Sequence, residues 1–220
     1  MEHLVYVTAY VGLFSMLDCA LTYTNIQGVY YAVHALHNAA IVYLTAPDVI
    51  YTLTDFHNIT AYPANQAAIH LCFALHLYHV LLYHSKFRAD DWLHHGLMLG
   101  LALPIGCVVE SHTLMGMSLF MTTGLSGGID YALLCGVRNG LVHKNTEKAV
   151  NTFLNVWIRS PGCAGFAALS LVYLLSHASF PSLSTPMVCA YLAPTILNYW
   201  NGQYFMRQVV EDYARIGRSV

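Results

Sequence analysis

Residues 86–109 read KFRADDWLHHGLMLGLALPIGCVV: a short charged turn, a tryptophan, two adjacent histidines, then an apolar run that ends at Val109. The run is about as long as a bilayer core requires, roughly 17–25 residues for a helix. Lys86, Arg88, Asp90 and Asp91 bound it at one end and Glu110 at the other. His94 and His95 therefore open a hydrophobic segment. A titratable side chain at membrane depth is costly, so it marks a functional site until something explains it away.

Working outward, the pattern repeats. Further apolar runs cover 4–23, 29–45 and 67–83 before this segment, and 113–137, 150–175 and 187–206 after it. Charged residues make up 9% of the chain and apolar residues 57%, with a mean hydropathy of +0.51. A soluble domain carries roughly 25% charge. The expected fold is all-α: a polytopic transmembrane helix bundle of about seven spans. Six is the fallback count, because the second and third runs are short and carry histidines, and the sixth contains Arg159-Ser160-Pro161-Gly162.

Charge placement gives the bundle a direction. Seven spans put Lys86 and Arg88, then Arg138, Lys144 and Lys148, then Arg207, Arg215 and Arg218 on one face, and Arg159 alone inside a span. The connections on the other face, 46–66, 110–112 and 177–186, contain no Lys or Arg. Basic loops stay in the cytosol, so the C-terminus is expected to be cytosolic. Asn58-Ile59-Thr60, a possible glycosylation sequon at Asn58, then falls on the opposite side, where such a triplet is usable. The chain divides into a first span with a short link (1–27), a multi-span membrane domain (28–213) and a cytosolic tail (214–220). The first span has no basic n-region and no A-x-A-like cleavage site, so it reads as a retained span. All six cysteines lie within spans without C-x-x-C spacing, and read as packing residues rather than as a disulfide framework or a zinc site. A net charge of −2 without a basic cluster argues against a nucleic-acid partner.

This orientation turns the sequence into a depth map. His34, His37, His76, His79, His94 and His95 fall in the cytosolic halves of their spans, with Asp18, Asp130, Asn151, Asn155, Asn198 and Asn201. His34 and His37 are three apart, as are His76 and His79, so each pair shares a helix face. Gly124, Gly127 and Gly128 allow close helix approach, and Pro104, Pro161 and Pro194 predict kinks. The expectation is a polar pocket open toward the cytosol, with Asp130, Arg159, Asn198 and Asn201 among the histidines. Arg159 needs a partner there, with Asp18 and Asp130 as the candidates.

From residue 33 to 213 the chain resembles the TLC family (TRAM, LAG1, CLN8 homology). The resemblance rests on Val33-His34-Ala35-Leu36, Asp90-Asp91-Trp92-Leu93-His94-His95, Gly124-Leu125-Ser126-Gly127-Gly128 and Leu197-Asn198-Tyr199-Trp200 with Tyr204-Phe205. It implies residence in the endoplasmic reticulum or a related endomembrane. His94 and His95 match the paired histidines of the family's ceramide synthase branch. That branch's downstream His-Asp…Asp element is missing: Thr123, Gly124 and Gly127 stand there, and Asp130 is the closest carboxylate. The chain thus looks more like the family's non-synthase members, which bind lipid or regulate membrane lipid composition. Membrane lipids are then the partners, and no cofactor is expected.

The alternative is an acyl-CoA-dependent N-acyltransferase, with acyl-CoA as co-substrate. His94 or His95 would be its general base, and Asn198 or Arg159 would stabilise charge. A di-iron oxygenase would need more histidines at H-x-x-H-H spacing than the single His94-His95 pair supplies. A retinal protein would need a lysine in a span, and Lys86, Lys144 and Lys148 all lie in loops.

Overall fold

The computed structural model describes residues 2–176 and 183–217. Most of the 177–186 connection and Arg218 of the tail lie outside the described residues. Everything regular among the described residues is helical. Helices α1 (Glu2–Tyr23), α2 (Val29–Thr54) and α3 (Gln66–Tyr83) come first, and a 3-10 turn at His84–Lys86 extends α3. The next three rods are each interrupted by a π turn. α4 (Ala89–Leu97) continues through Met98–Ala102 into α5 (Leu103–Val108). α6 (Thr113–Leu119) continues through Phe120–Gly124 into α7 (Leu125–Arg138), and α8 (Lys144–Leu154) through Asn155–Arg159 into α9 (Ser160–Ser176). α10 (Thr185–Gly217) closes the bundle.

Three rods, Glu2–Tyr23, Gln66–Lys86 and Lys144–Ser176, are long and apolar enough to cross a bilayer, which makes this a membrane-associated protein. Side-chain placement agrees. Leu4, Tyr43, Leu81, Trp157, Leu175 and Ile196 face outward, while His34, Asn38, Asp48, His76, Glu147 and Asn155 are buried. Water would favour the reverse arrangement.

α2 is the central element, packed against α1, α3, α6 and α7. Asn38 on α2 lies so close to α7 that a Cβ at Gly127 would meet its amide at 2.8 Å. α2 also runs well beyond residue 45, through Pro47 to Thr54, where the sequence predicts a polar connection from 46 to 66. The polar residues of that stretch are the reason. Asp48 is buried against Gly116 of α6, where any Cβ would collide with its carboxyl. Thr52 donates to Thr113 at 2.8 Å. They form a buried face, and that holds the helix. The remaining connection is a 3-10 segment, Phe56–Ala61.

Proline explains two of the π turns. A helical proline clashes with the carbonyl four residues earlier and leaves it unbonded. For Pro104 and Pro161 those residues are Gly100 and Trp157, both inside π turns. The widened turn absorbs the misfit before each proline. Pro194 continues inside α10 without one, and Asn198 Nδ2 donates to the Pro194 carbonyl at 3.1 Å.

Candidate functional site

One end of the bundle is tied together by contacts between its turns. Asn139, after α7, accepts from the Gln27 backbone N–H at 3.0 Å and donates to the Gln27 carbonyl at 2.9 Å. Lys148 at the start of α8 binds Asp212 of α10 at 2.8 Å, and Tyr204 of α10 donates to Asp90 at the start of α4 at 3.0 Å. Lys86, Arg88 and Arg138 are at this end too, around the mouth of a cavity of about 1080 Å³ that runs into the bundle. Ligand pockets commonly span roughly 300–1,000 Å³, so this one is large.

Near the mouth the wall is a histidine ladder. The rings of His34 (α2) and His79 (α3) stack at 4.1 Å, and Tyr131 of α7 lies 4.2 Å from His34. His95 (α4) meets His79 edge-on at 5.4 Å and stacks on Phe87 at 4.5 Å. His76 and His94 face each other with their Nε2 atoms 3.1 Å apart.

Backbone contacts fix the tautomers of this pair. His76 Nδ1 lies 2.7 Å from the Cys72 carbonyl, which can only accept. An uncharged His76 therefore carries its proton on Nδ1 and presents a lone pair at Nε2. The 3.1 Å contact then requires His94 to donate from Nε2, leaving Nδ1 of His94 as the basic atom. His34 is oriented in the same way, with Nδ1 2.7 Å from the Tyr30 carbonyl.

Deeper in, the rod α8–α9 lines the cavity with Asn151, Asn155 and Arg159, which continue a polar stripe at four-residue spacing that starts at Glu147. Asn155 donates to Asn151 Oδ1 at 2.6 Å. Arg159 donates from Nη2 to Asn201 at 2.8 Å, and its guanidinium lies over the Phe205 ring at 4.9 Å. Phe205 also meets His94 edge-on at 6.1 Å, so it links the arginine to the histidines. Beyond this layer the wall is mostly apolar, with Leu103, Met115, Leu119, Phe166 and Leu197, interrupted by Ser118 and Ser170.

Of the residues singled out in the sequence, His34, His76, His79, His94, His95, Asp130, Arg159, Asn198 and Asn201 all border this cavity. His37 does not. Its ring turns to Phe14 of α1 at 5.7 Å, and its Nδ1 pairs with Asn38 Oδ1 at 2.8 Å. Asn58 is exposed in the 3-10 segment at the opposite end, donating to Asp55 at 2.8 Å. Neither expected carboxylate pairs with Arg159. Asp18 accepts from Tyr78 at 2.5 Å and from Tyr83, and Asp130 turns to the carboxyl of Glu147. An arginine at membrane depth costs about 2.5–3.5 kcal/mol on insertion scales; here Asn201 and a ring face hold it, and the charge of Asp130 acts on it without an ion pair.

Sequence reasoning missed Glu147, Tyr30 and Tyr131, and named Phe205 only within Tyr204-Phe205 of the TLC resemblance. Glu147 was legible as the first member of the four-residue stripe. The two tyrosines carried no signal among sixteen.

Among the described residues, no three His, Cys, Asp or Glu side chains converge as metal ligands. Comparison with protein-family models, curated proteins and solved structures finds no match for the chain.

Proposed function

We propose that this chain is a multi-pass, TLC-type membrane protein that binds lipid, or regulates membrane lipid composition, through the His-lined cavity. The observation that carries this reading is the cavity's combination of a polar part, lined by histidines, asparagines and Arg159, with a mostly apolar part lined by Leu103, Met115, Leu119, Phe166 and Leu197. That is the pattern an amphipathic lipid demands, with its headgroup at the hydrogen-bonding groups and its chain among the apolar ones. The π turns support it, since such bulges are frequent at functional sites, and each contributes cavity-lining residues here: Met98 and Ala102, Thr122 and Thr123, Asn155 and Arg159.

In this reading the seven rods are seven spans, and the basic end of the bundle, which includes the C-terminal half of α10, faces the cytosol. The cavity then opens toward the cytosolic leaflet. Residence in the endoplasmic reticulum or a related endomembrane belongs to the same proposal and rests on the TLC resemblance. Lipid mass spectrometry on cells with the protein, without it, and with His94→Ala plus His95→Ala tests the function. Lipid classes should shift between the first two, by at least about twofold in the species affected, and the double variant should resemble the cells without protein. Identical profiles in all three would sink the reading.

One observation favours acyl transfer as a second reading. The His76–His94 contact leaves a basic Nδ1 on His94, one of the two histidines that match the synthase pair, and a general base needs such an atom within reach of its substrate. Purified protein given labelled acyl-CoA and amine acceptors decides this. Product formation that His94→Ala abolishes supports the enzyme, and no product with any acceptor removes it.

A further inference from the structure

We propose that Arg159 makes the cavity selective for a lipid with an oxyanion head, a carboxylate or a phosphate. The inference rests on the lipid-pocket reading and adds the chemistry of the headgroup.

Arg159 is the single Lys or Arg that lies away from the basic end of the bundle. Among the described ion pairs none includes it. Its side chain is nevertheless held in place: Asn201 takes Nη2 and the Phe205 face supports the plane. Nε is buried without a partner. A fixed, planar guanidinium with donors to spare is the group suited to two-pronged recognition of carboxylate or phosphate.

The surrounding groups favour an anion further. The acids of the mouth are already engaged, Asp90 by Tyr204 and Asp91 by the Arg88 backbone N–H and side chain. Asp130 interacts most strongly with Glu147 and, although its charge reaches Arg159, forms no ion pair with it. Lys86, Arg88 and Arg138 stand at the mouth, where they would draw an anionic head inward. The apolar part of the wall gives hydrocarbon a place to lie.

The test uses the full chain in detergent micelles with four labelled probes of similar chain length: palmitate, lysophosphatidate, the neutral hexadecanol and the cationic sphingosine. Wild-type protein should retain palmitate or lysophosphatidate at least about tenfold over hexadecanol and sphingosine, a difference one charge-assisted contact can supply. Which anion is favoured tells carboxylate from phosphate. Arg159→Gln should bring the preferred anion down to the hexadecanol level and leave hexadecanol unchanged, while Arg159→Lys keeps part of the preference. Equal retention of neutral and anionic probes by wild type overturns the inference but leaves the lipid pocket standing. So does a folded Arg159→Gln protein that still prefers the anion. Retention of no probe at all overturns the pocket as well. If Arg159→Gln fails to fold, the wild-type comparison decides by itself.

Discussion

Buried polar groups behave differently on the two sides of α3. Toward α1, Asp18 accepts from both Tyr78 and Tyr83, and only His37 Nε2, on the ring beside Phe14, is buried and unpartnered there among the described residues. Toward the cavity the buried polar groups are left with capacity. His79 Nε2, His95 Nδ1, Asp130 Oδ1, Arg159 Nε and Asn198 Oδ1 are all buried and unpartnered. Unpartnered buried atoms also occur away from the cavity, Asn38 Nδ2 and Asp48 Oδ2 among them, so what sets the cavity side apart is that its open groups border a space a ligand can enter. A closed hydrogen-bond set holds helices together. An open one, around a cavity, is shaped for something that completes it.

The closed set gives the largest effect on stability. Asp18→Ala removes the acceptor of two phenols at once and leaves both hydroxyls partly buried. It should lower stability by about 2 kcal/mol or more, read as an earlier thermal melt in detergent, with lipid retention preserved in the protein that stays folded. A variant that melts like wild type would erase the contrast between the two sides.

The open set should respond in the opposite sense. His79→Phe keeps a ring for the stack on His34 and removes a nitrogen that no protein group satisfies. Stability should be unchanged or rise by up to about 1 kcal/mol, while lipid retention falls several-fold. Melting and retention are measured on the same preparation. If both fall together, His79 is a structural residue and belongs with Asp18.

How far the sequence reveals this division depends on the residue. Helical spacing put His34 and His37 on one face, yet they serve different sides. α2 is wrapped by α1, α3, α6 and α7, and a face about 100° wide spans two of those neighbours; period alone cannot say which. The pairs His76/His79 and His94-His95 were easier, because α4 begins at a charged turn next to the end of α3 and brings both pairs to one level. The end of α2 was misread since Pro47, Asp48 and Thr52 look like a loop when their partners on α6 are unknown. Pro104 and Pro161 flagged irregular rods, but whether a helix kinks or widens to π depends on its packing. The three rods apolar enough to cross a bilayer are the part of the topology that composition settles. Polar cavity residues do not separate these rods from the rest, since α3 carries His76 and His79 and α8–α9 carries Asn151, Asn155 and Arg159.

The smallest effect concerns a contact that belongs to neither set. Thr52 and Thr113 share one hydrogen bond between α2 and α6, both fully enclosed and distant from the histidines. In a membrane bundle such a bond averages about 0.6 kcal/mol, because a helix in lipid finds other partners when one is lost. Thr52→Val preserves the branched shape and removes the donor, so its melting shift should be barely measurable and lipid retention unchanged. Beside Asp18→Ala it calibrates what an ordinary interhelical bond is worth here. Were Thr52→Val to cost as much as Asp18→Ala, the α1 side would be no special clamp, and the cavity's unpartnered groups would be the sole feature setting its two faces apart.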